Sequence, residues 1–127
     1  MRFALIALLW LAACNKDESV SAFVTGSGVY ALRTFDGVQL AVPITLDLSE
    51  PGQVSGRAPC NSYSAAQTAP YPWFQIGDIA TTRRACATRR LEHRYLTALS
   101  RMTIVEVSGT VLILTNDSGA EMVFDAS

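Results

Sequence analysis

Hydrophobic and polar residues change their rhythm several times along the chain. From Phe3 to Ala13 every residue is apolar, directly behind Arg2. From Val29 onward the pattern alternates. Val29-Tyr-Ala-Leu-Arg-Thr-Phe35 predicts a strand, with β-branched and aromatic residues in a period of two. Asp36-Gly37 predicts a tight hairpin turn, because both central residues of that turn take positive φ. Val38 to Leu48 continues as a second strand. In it Ile44, Leu46 and Leu48 point one way and Thr45 and Asp47 the other, and Pro43 implies an edge or a bulge. Glu50-Pro51-Gly52 is a second turn, and Gln53-Val54-Ser55-Gly56 opens a third strand running toward Cys60. Ser62 to Pro72 is rich in Ser, Ala and Pro and reads as a loop or irregular edge. Trp73-Phe74-Gln75-Ile76 and Ile79-Ala80-Thr81 predict a strand pair, or one bulged strand around Gly77-Asp78.

After Cys86 the period becomes 3.6. Leu91, Tyr95, Ala98, Leu99 and Met102 share one helical face, and Arg90, Arg94 and Arg101 another, with Arg89 and His93 nearby. With Thr88 as N-cap, the pattern predicts an amphipathic helix over 88–101. Short strands return at Thr103 to Val107, Val111 to Thr115 and Glu121 to Phe124. Ser108-Gly109 and Asn116-Asp117-Ser118-Gly119 form the turns between them. The expected fold is mainly β: a small antiparallel, barrel-like meander with one amphipathic helix inserted.

The first block is a sorting signal. Its 11 apolar residues would make roughly 16 Å of helix, too short for a bilayer core of about 30 Å. A basic start followed by a short apolar run is the pattern of a secretory signal. Leu11-Ala12-Ala13-Cys14 resembles the bacterial lipobox. That resemblance implies cleavage before Cys14 and acylation of its thiol, with 1–13 as signal peptide. A plain signal peptide with a coincidental cysteine is the alternative. Asn15 stands where an aspartate would resemble an inner-membrane retention signal, so the periplasmic face of the outer membrane is the expected location. Residues 14–27 are then the lipidated cysteine and a flexible tether, and 28–127 the folded domain.

Composition narrows the function. The chain has 127 residues, 50 % hydrophobic and 17 % charged, with net charge −1. That suits one packed domain and argues against disorder and against a dedicated nucleic-acid binder. The single histidine rules out multi-histidine metal sites, and no acidic run has a metal-binding spacing. With Cys14 lipidated, Cys60 and Cys86 remain. In an oxidising compartment they can pair, the alternative being two buried thiols.

Several motifs resemble the META domain family, also called HslJ-like. Gly52-Gln-Val-Ser-Gly-Arg-Ala-Pro-Cys-Asn-Ser-Tyr63 is similar to its G-x-x-x-G-x-x-G-C-N-x-Y stretch, and Thr81-Thr-Arg-Arg-Ala-Cys86 to its s-T-x-x-A-C stretch. Glu92, Tyr95, Leu96 and Leu99 resemble its E-x-x-[FY]-L-x-x-L helix. Val107 to Leu114 resembles its i-x-g-x-x-L-x-L hairpin and Met122 to Phe124 its closing strand. Pro59 stands where the family has glycine, and Tyr30 where it has tryptophan. The resemblance covers about residues 28 to 125. It implies a barrel-like envelope domain, often a lipoprotein, linked to stress response and drug tolerance. No catalytic residues are established for that family, so the resemblance transfers none.

The motif residues Asn61, Tyr63, Thr82 and Ala85 are therefore expected to be architectural. A Cys60–His93 nucleophile pair would need the two brought together, and nothing in the sequence does so. Arg83, Arg84, Arg89, Arg90, Arg94 and Arg101 fall close together with only Glu92 as counter-charge. Arg89, Arg90, Arg94 and Arg101 form a candidate patch for an anionic partner, whether an envelope protein, lipid or glycan; a merely solvated face is the alternative. The expected function is a non-enzymatic, cofactor-free interaction or stress-tolerance module, anchored to the membrane by its N-terminal lipid. A small-molecule or glycan binder, or an inhibitor of an envelope-attacking enzyme, is the rival.

Overall fold

The computed structural model describes residues 16–127. One antiparallel sheet of eight strands is laid out in the order β5-β4-β3-β2-β1-β8-β7-β6. The strands are β1 (Val29–Phe35), β2 (Thr45–Asp47), β3 (Gln53–Arg57), β4 (Ser62–Ala66), β5 (Ala80–Thr81), β6 (Ile104–Ser108), β7 (Val111–Thr115) and β8 (Glu121–Ala126). The helix α1 spans Arg89–Ser100, between β5 and β6. The mainly β meander with one inserted helix is what the periodicity predicts.

The first hairpin has the turn its residues demand. Asp36 and Gly37 both take positive φ, and Phe35 and Val38 exchange backbone hydrogen bonds across it. The second strand is much shorter than expected. Only Thr45–Asp47 joins the ladder, because Pro43 has no N–H to offer and the chain from Gln39 to Pro43 runs outside it. Ile44, Leu46 and Leu48 nevertheless point inward and are buried.

The expected loop at 62–72 is instead β4 in its first half, paired with β3 from Gln53↔Ala66 to Arg57↔Ser62. Its side chains are small, but Tyr63, Ala65 and Gln67 alternate inward, and that alternation is what a half-buried strand requires. Residues 73–81 form neither the expected strand pair nor one bulged strand, only two isolated bridges and the two-residue β5. Trp73 bridges Ile104 of β6, Ile76 bridges Gln67 beyond β4, and Ala80–Thr81 pairs with β4 as β5. The same stretch thus touches both ends of the strand order, and this joins the curled sheet to itself.

The interior is filled by Tyr30, Phe74, Tyr95, Leu99, Leu112 and Phe124, all fully buried, with the aliphatic residues of β2, β7 and β8. The helix covers this core through Tyr95 and Leu99, with Met102 just beyond its end. Its inward stripe is turned relative to the expected one: Leu91 is half-buried, and Glu92 is buried in its place. Of residues 14–27, expected to be the lipidated cysteine and a flexible tether, those from Asp17 on are partly packed on the fold. Val20–Phe23 form a 3-10 turn, Val20 is buried, and Ser19 bridges Pro70. Thr25 N–H donates to the Tyr30 hydroxyl, so the segment is stitched to the core.

Candidate functional site

The Cys-Asn-x-Tyr and Thr-x-x-Ala-Cys stretches meet at the N-terminal end of α1. The turn between β3 and β4, Ala58 to Asn61, is closed by Ala58 N–H donating to the Asn61 carbonyl. Glu92 rises beside it from the first turn of the helix. Its Oε1 accepts the N–H groups of Cys60 (3.0 Å) and Asn61 (2.6 Å), and its Oε2 accepts the Asn61 amide at 2.8 Å. The other end of the Asn61 side chain is also occupied. Its Oδ1 accepts the Thr82 hydroxyl (2.9 Å) and the Arg84 N–H (2.7 Å).

Burial pushes the Glu92 carboxyl up. The hydrogen bonds from the Asn61 side chain, the Asn61 N–H and the Cys60 N–H outweigh it, and the net shift is downward. Glu92 is a charged residue on the inward stripe, and a buried charge needs donors around it. Reading it as a counter-charge for arginines missed this. Its spacing before Tyr95 and Leu99 was the signal that could have placed it inside.

A disulfide closes the cluster. Cys60 and Cys86 are joined with their Cα atoms 5.9 Å apart. Thr88, expected as a side-chain N-cap, makes no cap bond; its hydroxyl donates to the Pro59 carbonyl at 3.3 Å. Deeper in, the Tyr63 hydroxyl lies 2.7 Å from the Thr45 carbonyl and 2.8 Å from the Tyr95 hydroxyl. A carbonyl only accepts, so the Tyr63 proton goes to Thr45 and the Tyr95 proton to Tyr63. Burial raises both phenols, and they stay neutral. Gly56 makes this contact possible: a Cβ there would lie 2.2 Å from the Thr45 oxygen and 3.0 Å from the Tyr63 hydroxyl.

These residues are the motif, arranged as mutual hydrogen-bond partners. A model of the META domain matches residues 24–127. The chain belongs to the META domain family. Among solved structures, the META domain here is similar to a protein from Burkholderia xenovorans determined by NMR. The TM-score is 0.66 at 27 % identity, over 85 % of this chain and 86 % of that one. A second NMR structure of a protein matches with TM-score 0.65 at 17 % identity, over 83 % of this chain and 92 % of the other. A DUF4847 family protein from Bacteroides vulgatus matches with TM-score 0.56 at 13 % identity, over 66 % and 59 %. These last two share the fold. No curated protein matches the chain.

The two departures from the family pattern have local explanations. The donors that Glu92 uses are those of residues 60 and 61, so Pro59 removes no hydrogen bond of the cluster. Tyr30 is fully buried, and its hydroxyl accepts the Thr25 N–H of the N-terminal segment.

The remaining candidate residues lie on the surface. Arg89, Arg90, His93 and Arg94 line a shallow hollow of about 440 Å³ along α1. Asn61, Thr82, Arg83, Arg84, Ala85 and Arg89 edge a second one. Arg101 is exposed at the other end of the helix. Arg94 is not wholly free: its guanidinium sits 5.5 Å over the ring of Phe35. Among the described residues the only ion pair is Arg33–Asp125, and no cluster of metal-ligating side chains is present. No described helix is long and apolar enough to cross a membrane. Cys14 and the signal segment lie outside the described residues.

Proposed function

We propose that this META domain is a non-enzymatic, lipid-anchored domain of the bacterial cell envelope, an interaction or stress-tolerance module that meets an anionic partner through its arginine face. One observation carries the reading. Glu92 is the only acid between Arg83 and Arg101, and its carboxylate is turned inward and fully engaged by Cys60 and Asn61. The arginines around it are exposed, and among the described residues none of them is in an ion pair, a positive surface of the kind that attracts anionic partners. The polar motif residues support a non-catalytic role, since Cys60 is spent in a disulfide and Asn61 in bonds to Glu92, Thr82 and Arg84. The anchor and the outer-membrane location rest on Arg2, the apolar run and Leu11-Ala12-Ala13-Cys14.

The test is crosslinking and capture from native membranes, with wild type beside a triple change of Arg90, Arg94 and Arg101 to Glu. The triple variant is expected to lose the species that wild type captures while remaining folded, its melting lowered only by the loss of the Arg94–Phe35 contact. Identical capture by both would overturn the arginine face. Metabolic labelling with a clickable fatty acid should mark wild type and not Cys14→Ser; equal labelling would overturn the anchor.

A further inference from the structure

The packed N-terminal segment shortens the leash between anchor and fold. Ser19 is already buried and bridged to Pro70, and the Tyr71 N–H donates to the Glu18 carbonyl. From Cys14 to Ser19 is five residues, at most about 17 Å of extended chain. A domain of this size is on the order of 34 Å across. A leash that short brings only the side around residues 17–23 and 68–71 to the lipid surface.

That side carries most of the exposed aromatic surface. Among the described residues the large hydrophobic side chains most open to water are Phe23 (50 %), Trp73 (57 %) and Val38 (59 %). Phe23 stacks on Tyr71 with ring centroids 4.4 Å apart. Tyr71 and Trp73 belong to one tight turn, closed by Trp73 N–H donating to the Pro70 carbonyl. Trp73 and Arg101 line a hollow of about 650 Å³ together with Phe74, Ile104 and Asp117. The Tyr71 hydroxyl is taken by the Val107 N–H, so Tyr71 backs the face, while Trp73, an exposed aromatic ring with one polar edge, suits the headgroup level of a bilayer and Phe23 adds an apolar ring beside it. Nearby acids do not favour a purely electrostatic contact: Glu18 is exposed, and Asp17 is held by the hydroxyls of Ser19 and Ser21.

We propose that the face bearing Phe23, Tyr71 and Trp73 rests on the bilayer to which Cys14 anchors the chain, turning the lipoprotein into a surface-docked domain of fixed orientation. The inference rests on acylation at Cys14. The docking is interfacial and aromatic, and therefore largely insensitive to salt.

The sequence provides its own reporter. It has two tryptophans, Trp10 and Trp73, and cleavage before Cys14 removes the first. The mature lipoprotein, its acylation verified by mass spectrometry, is placed in phosphatidylethanolamine–phosphatidylglycerol vesicles containing brominated lipids. Trp73 emission is expected to shift to the blue and to be strongly quenched, with no recovery at high salt and with clear recovery in Phe23→Ser. An acylated, vesicle-bound protein whose Trp73 stays unquenched and open to aqueous acrylamide would overturn the docking and leave the anchor standing. Quenching lost at high salt would also overturn it, in favour of the arginines as the lipid contact. A chain without acyl groups would overturn the anchor and this inference together.

Discussion

Glu92 holds Asn61 at two points, accepting the backbone N–H on Oε1 at 2.6 Å and the side-chain amide on Oε2 at 2.8 Å. The same Oε1 takes the Cys60 N–H. One carboxylate therefore fixes the β3–β4 turn against the start of the helix. Hydrogen bonds to charged groups contribute about 1.5–3 kcal/mol each, and orphaning a buried donor costs about as much. Glu92→Gln turns one acceptor into a donor facing the Asn61 amide, and is expected to cost about 1–3 kcal/mol in denaturant unfolding. Glu92→Ala should cost more.

The same carboxylate sets a pH dependence. Its folded pKa lies below the ordinary 4.5. Its contribution is complete above pH 4.5 and fades as pH falls through the lower, folded value. Wild type should lose stability on acidification below that point. Glu92→Gln should lose less over the same range, so the two stability curves converge at low pH. Parallel curves would show that Glu92 does not titrate with folding.

The disulfide predicts no free thiol at positions 60 and 86 under denaturing, non-reducing conditions. Two cysteines 26 positions apart close a loop whose cross-link stabilises by about 3–4 kcal/mol in the chain-entropy treatment. Replacing both with serine should lower the unfolding free energy by about that amount and leave the strand pairing intact by circular dichroism.

The helix predicts opposite outcomes on its two sides. Leu99 is fully buried, so Leu99→Ala should cost about 2–5 kcal/mol. Arg94 is exposed but stacks on Phe35, so Arg94→Ala should cost about 0.5–1 kcal/mol, above an ordinary surface change. Arg90→Ala, without a ring beneath it, should stay within about 0.5 kcal/mol of wild type.

Legibility in the sequence followed side-chain size and sign. Val29 to Phe35 and the hairpins from Ile104 to Phe124 carry bulky alternating residues, and their strands are plain from the pattern. Strand β4 was hidden because Ser, Ala and Pro suggest a loop, although Tyr63, Ala65 and Gln67 keep the inward alternation. The closing stretch at 73–81 was ambiguous because it changes partner midway, from β6 to β4, and no local pattern encodes a change of partner. In the site, the cysteines, Asn61, Tyr63 and Thr82 were found through family motifs. Glu92 was misread because a carboxylate near arginines suggests a surface pair. Its donors come from a turn about 30 residues away, which only the fold brings near.

The hydrogen-bonded pair Tyr63 and Tyr95 predicts an asymmetry that tests the direction of their bonds. Protons run from Tyr95 to Tyr63 and from Tyr63 to the Thr45 carbonyl. Tyr63→Phe removes the middle of this chain. It strips Thr45 of a donor and leaves the Tyr95 hydroxyl, in a fully buried residue, without its acceptor. An orphaned buried polar group costs about 1–3 kcal/mol, and that is the expected loss. Tyr95→Phe removes only a proton donated to an oxygen that still donates to Thr45. It should cost less, on the order of 1 kcal/mol. In the double variant no Tyr95 hydroxyl remains to be orphaned, so it should be no less stable than Tyr63→Phe alone. Denaturation midpoints of the three variants decide the matter. If Tyr95→Phe were the more damaging single change, the proton order would be reversed, and Thr45 would be taking its bond from elsewhere.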